Sequence, residues 1–310
     1  MAKTSVEDWH AECVSGYRKE ISECKDIPEL VRKSRQLITL ASQAWYLRGC
    51  YPSLAKKRDD LRAERPVRKM VAVDLKAICW LAWTRGESSK EAMFEMKNIM
   101  NSLRTRFKDS TFLYACDSPR SLRTEMDERW KCKRDKPKPD FVKFVNDITE
   151  GLRKRQAHMY EVEGFEADDI LASLSASYAL AGDKTIIIAN DKDLHQLLSP
   201  STTLFWKGEF FSRENLMKAH SVEPGQWVDW LCLVGKNDIP GAEGIGTVNA
   251  SKLLLTFGSY LNCLNSLKQI QEQFSEKIAS SLLAFEKEYF SVRRLHRLEQ
   301  TLELEVLDLV

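Results

Sequence analysis

The sequence predicts an α/β protein built on a parallel sheet with helices over both faces. Three observations lead there. Short β-branched apolar runs occur at "MVAVDL" (70–75), "STFLYACD" (110–117) and "KTIIIAND" (184–191). None alternates with polar residues, so each reads as a strand buried on both sides. Helical segments separate them, as parallel neighbours require.

Before the first strand, residues 5–65 read as a helical extension. "SVEDWHAECVSGYRKEI" (5–21) opens on a serine with an acid three positions on, a capping signal. "DIPELVRKSRQLITLASQAWYLRG" (26–49) starts with Asp26 and Pro28 and stops at Gly49. "AKKRDDLRAERPVRK" is charged and leads out through Pro66. No chemistry is legible in this segment. Its basic residues read as a solvated helix face, with nucleic-acid contact the weaker alternative.

After the first strand, Met96, Ile99, Met100, Leu103 and Phe107 recur at helical spacing. That stripe is core, not a cofactor box. The segment "EGFEADDILASL" (163–174) then crowds Glu166, Asp168 and Asp169 at a helix start. Capping and the helix dipole explain such acids at about 0.3–1 kcal/mol each. The wider pattern asks for more. Each apolar strand ends in an aspartate: Asp74, Asp117 and Asp191, with Asp193 two residues on. Ligands of open α/β sheets bind beyond the carboxyl ends of the strands. If the strands are neighbours, these acids converge with those of the helix.

Two carboxylates about 4 Å apart repel by roughly 4 kcal/mol at an effective dielectric near 20. Such a cluster needs counter-charge. The five histidines are scattered, and the eight cysteines form no C-x-x-C pair, so zinc is not expected. Oxygen ligands alone point to Mg²⁺ or Mn²⁺. A carboxylate site with one or two such ions is an arrangement used for phosphodiester hydrolysis.

Between the second strand and the acidic helix lies "SPRSLRTEMDERWKCKRDKPKPDF" (118–141), with eight basic and five acidic residues. Trp130 sits among the basics. This composition fits a phosphate-tracking surface with one aromatic for base stacking, against the bland reading of a charged loop. Further on, "GAEGIGTVNASKLL" (241–254 with Gly241) places Gly244 and Gly246 in a turn ahead of what reads as a basic helix. Backbone N–H groups there can hold a phosphate without reading sequence.

Net charge is only +2, so any nucleic-acid surface rests on local segregation of charge. The cysteines read as reduced thiols in a cytoplasmic protein. No signal-peptide core and no run of 18 apolar residues is present, so no membrane partner is expected.

"EGFEADDILASL", "IIIANDKDLHQLL" and "PGAEGIGTVNASKLL", in this order and spacing, resemble the 5′→3′ exonuclease/flap endonuclease family. It includes the nuclease domain of bacterial DNA polymerase I, the phage 5′-nucleases and stand-alone bacterial flap endonucleases. The resemblance covers about residues 68–300. It implies a PIN-like nuclease core at 67–220 with a helical arch near 118–141, and a helix–three-turn–helix DNA-binding arm with C-terminal helices at 221–310. Residues 1–66 form the helical extension. By the same resemblance, metal ligands fall on Asp74, Asp117, Glu166, Asp168, Asp191 and Asp193, with Asp169 beside them and Asp238 in reach. Lys131 and Arg134 meet the scissile phosphate. Arg123 and Trp130 contact DNA, as do Gly244, Ile245, Gly246, Thr247, Val248 and Asn249. Carbonyls of Leu233, Val234, Pro240, Ala242 and Ile245 hold K⁺.

One stretch departs from the family. The polymerase-type pattern carries two Asp in G-D-x-S-D-N-x-P-G, whereas "GKNDIPG" (235–241) is two residues shorter. Either Lys236 takes part of a second metal's place, or Asp238 alone completes it. The expected protein is a stand-alone, monomeric, Mg²⁺-dependent 5′-nuclease acting on branched or 5′-flap double-stranded DNA. A flap-binding protein of the same fold with weak or lost hydrolysis is the chief alternative. A PIN-like ribonuclease is the third, disfavoured by an arm that suits duplex DNA.

Overall fold

A computed structural model describes residues 6–43, 51–62 and 66–304. Three helices come first: α1 (Val6–Ser22), α2 (Ile27–Gln43) and α3 (Tyr51–Arg62). Asp26 caps α2, its Oδ1 accepting the Glu29 N–H at 2.8 Å. The expected stop at Gly49 and start at Ser5 lie outside the described residues. Ile21, Cys24, Leu30 and Leu54 form a small core of their own. Ile27 and Val31 instead join the main core, so α2 docks the extension onto the body of the protein.

The sheet follows. β1 (Lys69–Asp74) leads into α4 (Leu75–Arg85) and α5 (Ser89–Arg106). Ser88 caps α5 by accepting the Glu91 N–H, and Ala92, Met96, Met100 and Leu103 form its buried stripe. β2 (Thr111–Ala115) leads through the one-turn α6 (Leu122–Met126) to α7 (Pro139–Lys154) and β3 (His158–Tyr160). Then come α8 (Ala167–Leu180), β4 (Lys184–Ile188), β5 (Thr202–Trp206) and β6 (Glu209–Phe211). Strand order is β3-β2-β1-β4-β5-β6, parallel except for β6, which runs antiparallel to β5. The three expected strands are thus central neighbours. β3, β5 and β6 were not expected; the three residues of β3 and of β6 are too few to show a period.

Alternate residues of β1 feed two cores. Met70 and Ala72 face one, with α8. Val71 and Val73 face the other, with α4, α5 and α7. That period of two on an entirely apolar run is what helices on both faces demand. The chain ends in α9 (Arg213–His220), α10 (Trp227–Val234), α11 (Thr247–Phe257), α12 (Tyr260–Asn265), α13 (Leu267–Gln273) and α14 (Glu276–His296). Between α10 and α11, two-residue strands β7 (Gly235–Lys236) and β8 (Ile239–Pro240) pair antiparallel. Leu231, Leu254 and Leu282 share one core with Leu171 and Ile187.

The expected helical arch takes a different form. Beyond α6, residues 127–138 are turns and coil. Lys131 has φ of +56°, which no helix accommodates, and Pro137 and Pro139 bias the residues before them toward extended backbone. The segment lies against the β7–β8 turn. Lys131 N–H donates to the Asn237 carbonyl at 3.0 Å, Lys133 N–H to Asp238 Oδ2 at 3.0 Å, and Arg134 Nη2 to Asn237 Oδ1 at 2.8 Å.

Candidate active site

Strand order reverses between β1 and β4, which opens a crevice beyond their carboxyl ends. A cleft of about 500 Å³ lies there, lined by Asp74, Asp117, Glu166, Asp168 and Asp191. Each acid arrives by a local device. Asp74 ends β1 and caps α4, its Oδ1 accepting the Ala77 N–H at 2.9 Å. Asp117 Oδ1 accepts the Ala167 N–H at 2.9 Å, tying the end of β2 to the start of α8. Glu166 is the N-cap of α8 and Asp168 stands in its first turn. Asp191 caps the 3₁₀ turn after β4, accepting the Asp193 N–H at 2.9 Å.

Lysines neutralise most of this cluster. Lys76 Nζ lies 3.0 Å from Asp117 Oδ2, and Lys131 Nζ lies 2.8 Å from Glu166 Oε2. Lys236 Nζ reaches Asp191 Oδ1 at 2.5 Å and Asp193 Oδ1 at 2.9 Å. Burial opposes ionisation of Asp117, Glu166 and Asp191, but the lysines, together with the Ala167 and Asp193 N–H donors and with Arg123 and Trp130 beside Glu166, outweigh it and hold all three below the usual carboxylate range. Among the described residues, Asp74 and Asp168 have no such ion pair. Burial, then Asp117 and Asp191, pushes Asp74 up to about 7. Burial, then Asp191 and Asp74, pushes Asp168 well above its ordinary value. As they stand, no three His, Cys, Asp or Glu side chains among the described residues are arranged to hold a metal ion.

Several expected site residues stand elsewhere. Asp169 is fully buried and faces away from the cleft. It forms a bidentate pair with Arg123, at 2.5 and 2.6 Å, and accepts the Glu299 N–H. It is a structural partner and not a ligand, because its oxygens are already taken. Arg123 is likewise 8% exposed and donates to the Leu295 and Arg297 carbonyls, so it has no face for DNA. Trp130 is 3% exposed, packs on His296 and points its Nε1 at Glu166 Oε1, 3.4 Å away. A base cannot stack on a buried ring. Asp238 bonds Lys133 and does not line the cleft. Of the two readings of "GKNDIPG", Lys236 is the residue that reaches the acids.

The glycine turn is where it was expected. Gly244 has φ of +72°, and Gly246 caps α11 with no side-chain partner. Thr247 and Val248 are exposed, Asn249 is half-buried and Ile245 is buried. The helix itself is not basic: Lys252 is its one cation. The carbonyls of Leu233 and Ala242 each accept one N–H, from Ala242 and Ile245.

Two of the cleft residues that the sequence did not single out bear on the chemistry. Lys76 is one. The other is Trp80, 54% exposed on the cleft wall, with Phe141 edge-on at 5.2 Å. A signal was present: in "LKAICWLAWTR" the buried positions are Leu75, Ile78, Cys79 and Ala82, and Trp80 falls off that stripe.

Residues 76–223 match the 5′-3′ exonuclease, N-terminal resolvase-like domain. Thermostable DNA polymerase I of Thermus thermophilus is 32% identical over 210 residues, 66% of this chain and 25% of that protein. The 5′-3′ exonuclease of Aquifex aeolicus is 35% identical over 148 residues, 46% of this chain and 51% of that protein. The chain thus spans about a quarter to a half of these relatives. Among solved structures, T5 5′-exonuclease with bound divalent metal ions superposes with a TM-score of 0.64 at 21% identity, covering 75% of this chain and 90% of that one. A T5 flap endonuclease complex with DNA and metal ions gives the same TM-score at 20% identity, over 76% of this chain and 90% of that one. Residues 76–223, from just after Asp74 through β4 and β6, thus form a domain of the 5′-3′ exonuclease family.

Proposed function

We propose that the protein is a metal-dependent 5′-nuclease that hydrolyses phosphodiesters in branched or 5′-ended DNA. The observation that carries this is the pair Asp74 and Asp168. Among the described residues neither has an ion pair of its own, and Lys76, Lys131 and Arg134 line the same cleft. Such a pair is costly unless something binds it.

The donor set fits Mg²⁺ or Mn²⁺, since every candidate ligand is a carboxylate oxygen. Asp74 and Asp168 would hold the ion, with Asp117, Glu166 and Asp191 around it. Bound there, it supplies charge stabilisation at a phosphoryl oxygen and a more acidic water. The chain's own groups do the rest. Arg134 is exposed and Lys131 partly so, with Lys131 held on Glu166. A phosphate entering the cleft competes with Glu166 for that ammonium. The segment 118–141 serves as the family's arch, although it is mostly turns here. The free N–H groups at Gly246–Asn249 suit the backbone of a duplex. K⁺ fits beside them, because the Leu233 and Ala242 carbonyls each keep a second lone pair. Trp80 on the cleft wall offers an aromatic face to a base.

Comparing cleavage of a 5′-flap DNA and an RNA hairpin, with and without Mg²⁺, tests this reading. Mg²⁺-dependent cleavage of the flap alone supports it. The lysine pairs on Asp117, Glu166 and Asp191 favour a second reading, a flap-binding protein with weak hydrolysis. Tight flap binding without cleavage at any Mg²⁺ concentration would select that one.

Lys131→Ala and Arg134→Ala should each lower single-turnover cleavage by about 10²-fold with little change in duplex affinity, because charge develops at the phosphate they meet. A pure tracking role gives the reverse: weaker binding, a shallower salt slope and an unchanged rate. Trp80→Ala should weaken flap binding by about 1–3 kcal/mol while leaving the melting temperature nearly unchanged. Unaltered affinity in a fluorescence titration would remove Trp80 from the DNA path.

A further inference from the structure

Glu166 is held by more donors than its place at the start of α8 requires. Its Oε1 accepts the Ser121 hydroxyl at 3.1 Å and faces the Trp130 Nε1–H at 3.4 Å. Its Oε2 accepts the Lys131 ammonium at 2.8 Å. The same ammonium lies 5.4 Å from the centroid of the Trp130 ring, so the indole touches both members of the Lys131–Glu166 pair. We propose that Trp130, buttressed by His296, is a positioning residue that holds this ammonium and this carboxylate in the alignment from which Lys131 passes to the phosphate. The inference rests on the nuclease reading above and adds to it a part that does not line the cleft.

Neighbouring side chains of extended backbone point to opposite sides. Lys131 has φ of +56°, and that left-handed turn lets Trp130 and Lys131 converge on one carboxylate. The Trp130 N–H donates to the Asp127 carbonyl at 3.0 Å and closes the turn. Behind the indole stands His296, 1% exposed, with the ring centroids 5.6 Å apart. Neither of its ring nitrogens has a hydrogen-bond partner among the described residues. Burial, then the charges of Lys236 and Arg123, holds it down to about 3, so the ring is neutral. A neutral imidazole without hydrogen bonds contributes its shape. Its backbone is fixed, because the Gln196 side chain donates to the His296 carbonyl at 3.1 Å and accepts the Leu298 N–H at 3.1 Å. The wall behind Trp130 is thereby anchored to the 3₁₀ turn that follows β4.

The arrangement matters when a phosphate arrives. Once Lys131 turns toward it, Glu166 loses its nearest cation. A buried carboxylate stripped of its donors is costly. Ser121 and Trp130 remain on Oε1, so the charge keeps partners during the hand-over. The ammonium meanwhile moves beside a ring face that attracts cations. Trp130 touches no substrate in this scheme and acts through Lys131 and Glu166.

Single-turnover cleavage of a 5′-flap DNA in Mg²⁺, with flap affinity measured separately in EDTA, tests this. Trp130→Phe keeps a ring and removes the Nε1–H, and it should slow cleavage about tenfold with affinity unchanged. In the Lys131→Ala background the same change should cost less than about twofold, since a residue acting through Lys131 has nothing left to position. His296→Ala opens a cavity behind the indole and should slow cleavage similarly. His296→Leu refills the cavity and should restore the rate. Thermal melting checks that each variant is folded, and if Trp130→Phe does not fold, the His296 pair decides. A folded Trp130→Phe with an unchanged rate overturns the proposal, as does an equal loss that persists without Lys131. So does lower affinity at an unchanged rate, which would make Trp130 a base-stacking residue. These results in a protein that cleaves the flap leave the nuclease reading standing. If the unaltered protein does not cleave it, that reading fails and the proposal falls with it.

Discussion

Asp168→Asn should lower flap cleavage by about 10²–10³-fold, because losing a ligand to the metal forfeits roughly 3–4 kcal/mol of transition-state stabilisation. Flap affinity should largely survive, since phosphate contacts dominate it. The metal-free protein should gain stability. The Asp168 carboxyl is raised by burial and by Asp191 and Asp74, and Asp74 is raised to about 7. A carboxyl whose folded pKa exceeds its unfolded value binds its proton more tightly when folded. Its stabilising effect is complete below the unfolded value near 4 and is lost as pH rises toward 7. The melting temperature in EDTA should therefore fall from pH 5 to 8. Asp168→Asn should show a shallower fall, because one repelling charge is gone. Near-normal turnover, or an unchanged pH slope, would remove Asp168 from the site.

Arg123→Ala should cost about 3–5 kcal/mol of folding stability, the usual result of removing one partner from a buried ion pair. Asp169 is fully buried and its two oxygens face the guanidinium at 2.5 and 2.6 Å. Without Arg123 that charge has no cation. Arg123→Lys should rescue little, because one ammonium cannot serve both oxygens of Asp169 and two backbone carbonyls together. Urea titration measures the loss. A change below about 1 kcal/mol, with flap affinity falling instead, would return Arg123 to the DNA surface. Combining Arg123→Leu with Asp169→Leu separates the two terms. It should recover part of the loss, because neither charge is then left buried alone.

The central sheet was legible because its physics is local. An apolar run without alternation must be buried on both faces, and an aspartate after it marks the strand's end. The acidic helix was legible for the same reason. Which acid does what was not. Asp168 and Asp169 are adjacent, yet a helix turns about 100° per residue, so one faces the cleft and the other the protein interior. The cation that decides the matter, Arg123, lies 46 residues away in sequence. Composition of the 118–141 stretch was read correctly as basic. Composition says nothing of which side chains turn inward, and Arg123 and Trp130 did. The arch was expected as helix by resemblance, whereas Pro137, Pro139 and the left-handed Lys131 keep it in turns. Lys236 was visible as a departure from the pattern. Only the hairpin geometry shows which carboxylates it meets.

The Arg123–Asp169 pair also fixes an order of events during synthesis. Arg123 donates to the carbonyls of Leu295 and Arg297, and Asp169 accepts from the Glu299 N–H. These bonds span 130 to 174 residues. Closing such loops is slow compared with forming a helix. At about 5–20 residues per second, the 130 residues from Asp169 to Glu299 take roughly 6–26 s to translate. From Asp193 onward, for the rest of that interval, the nascent chain has made every acid of the cluster but lacks the strap that seats α8. The cleft is finished late, after its own ligands have long been exposed to the ions and nucleic acids around the ribosome. Competence for the proposed cleavage is thereby tied to the arrival of residues 295–299.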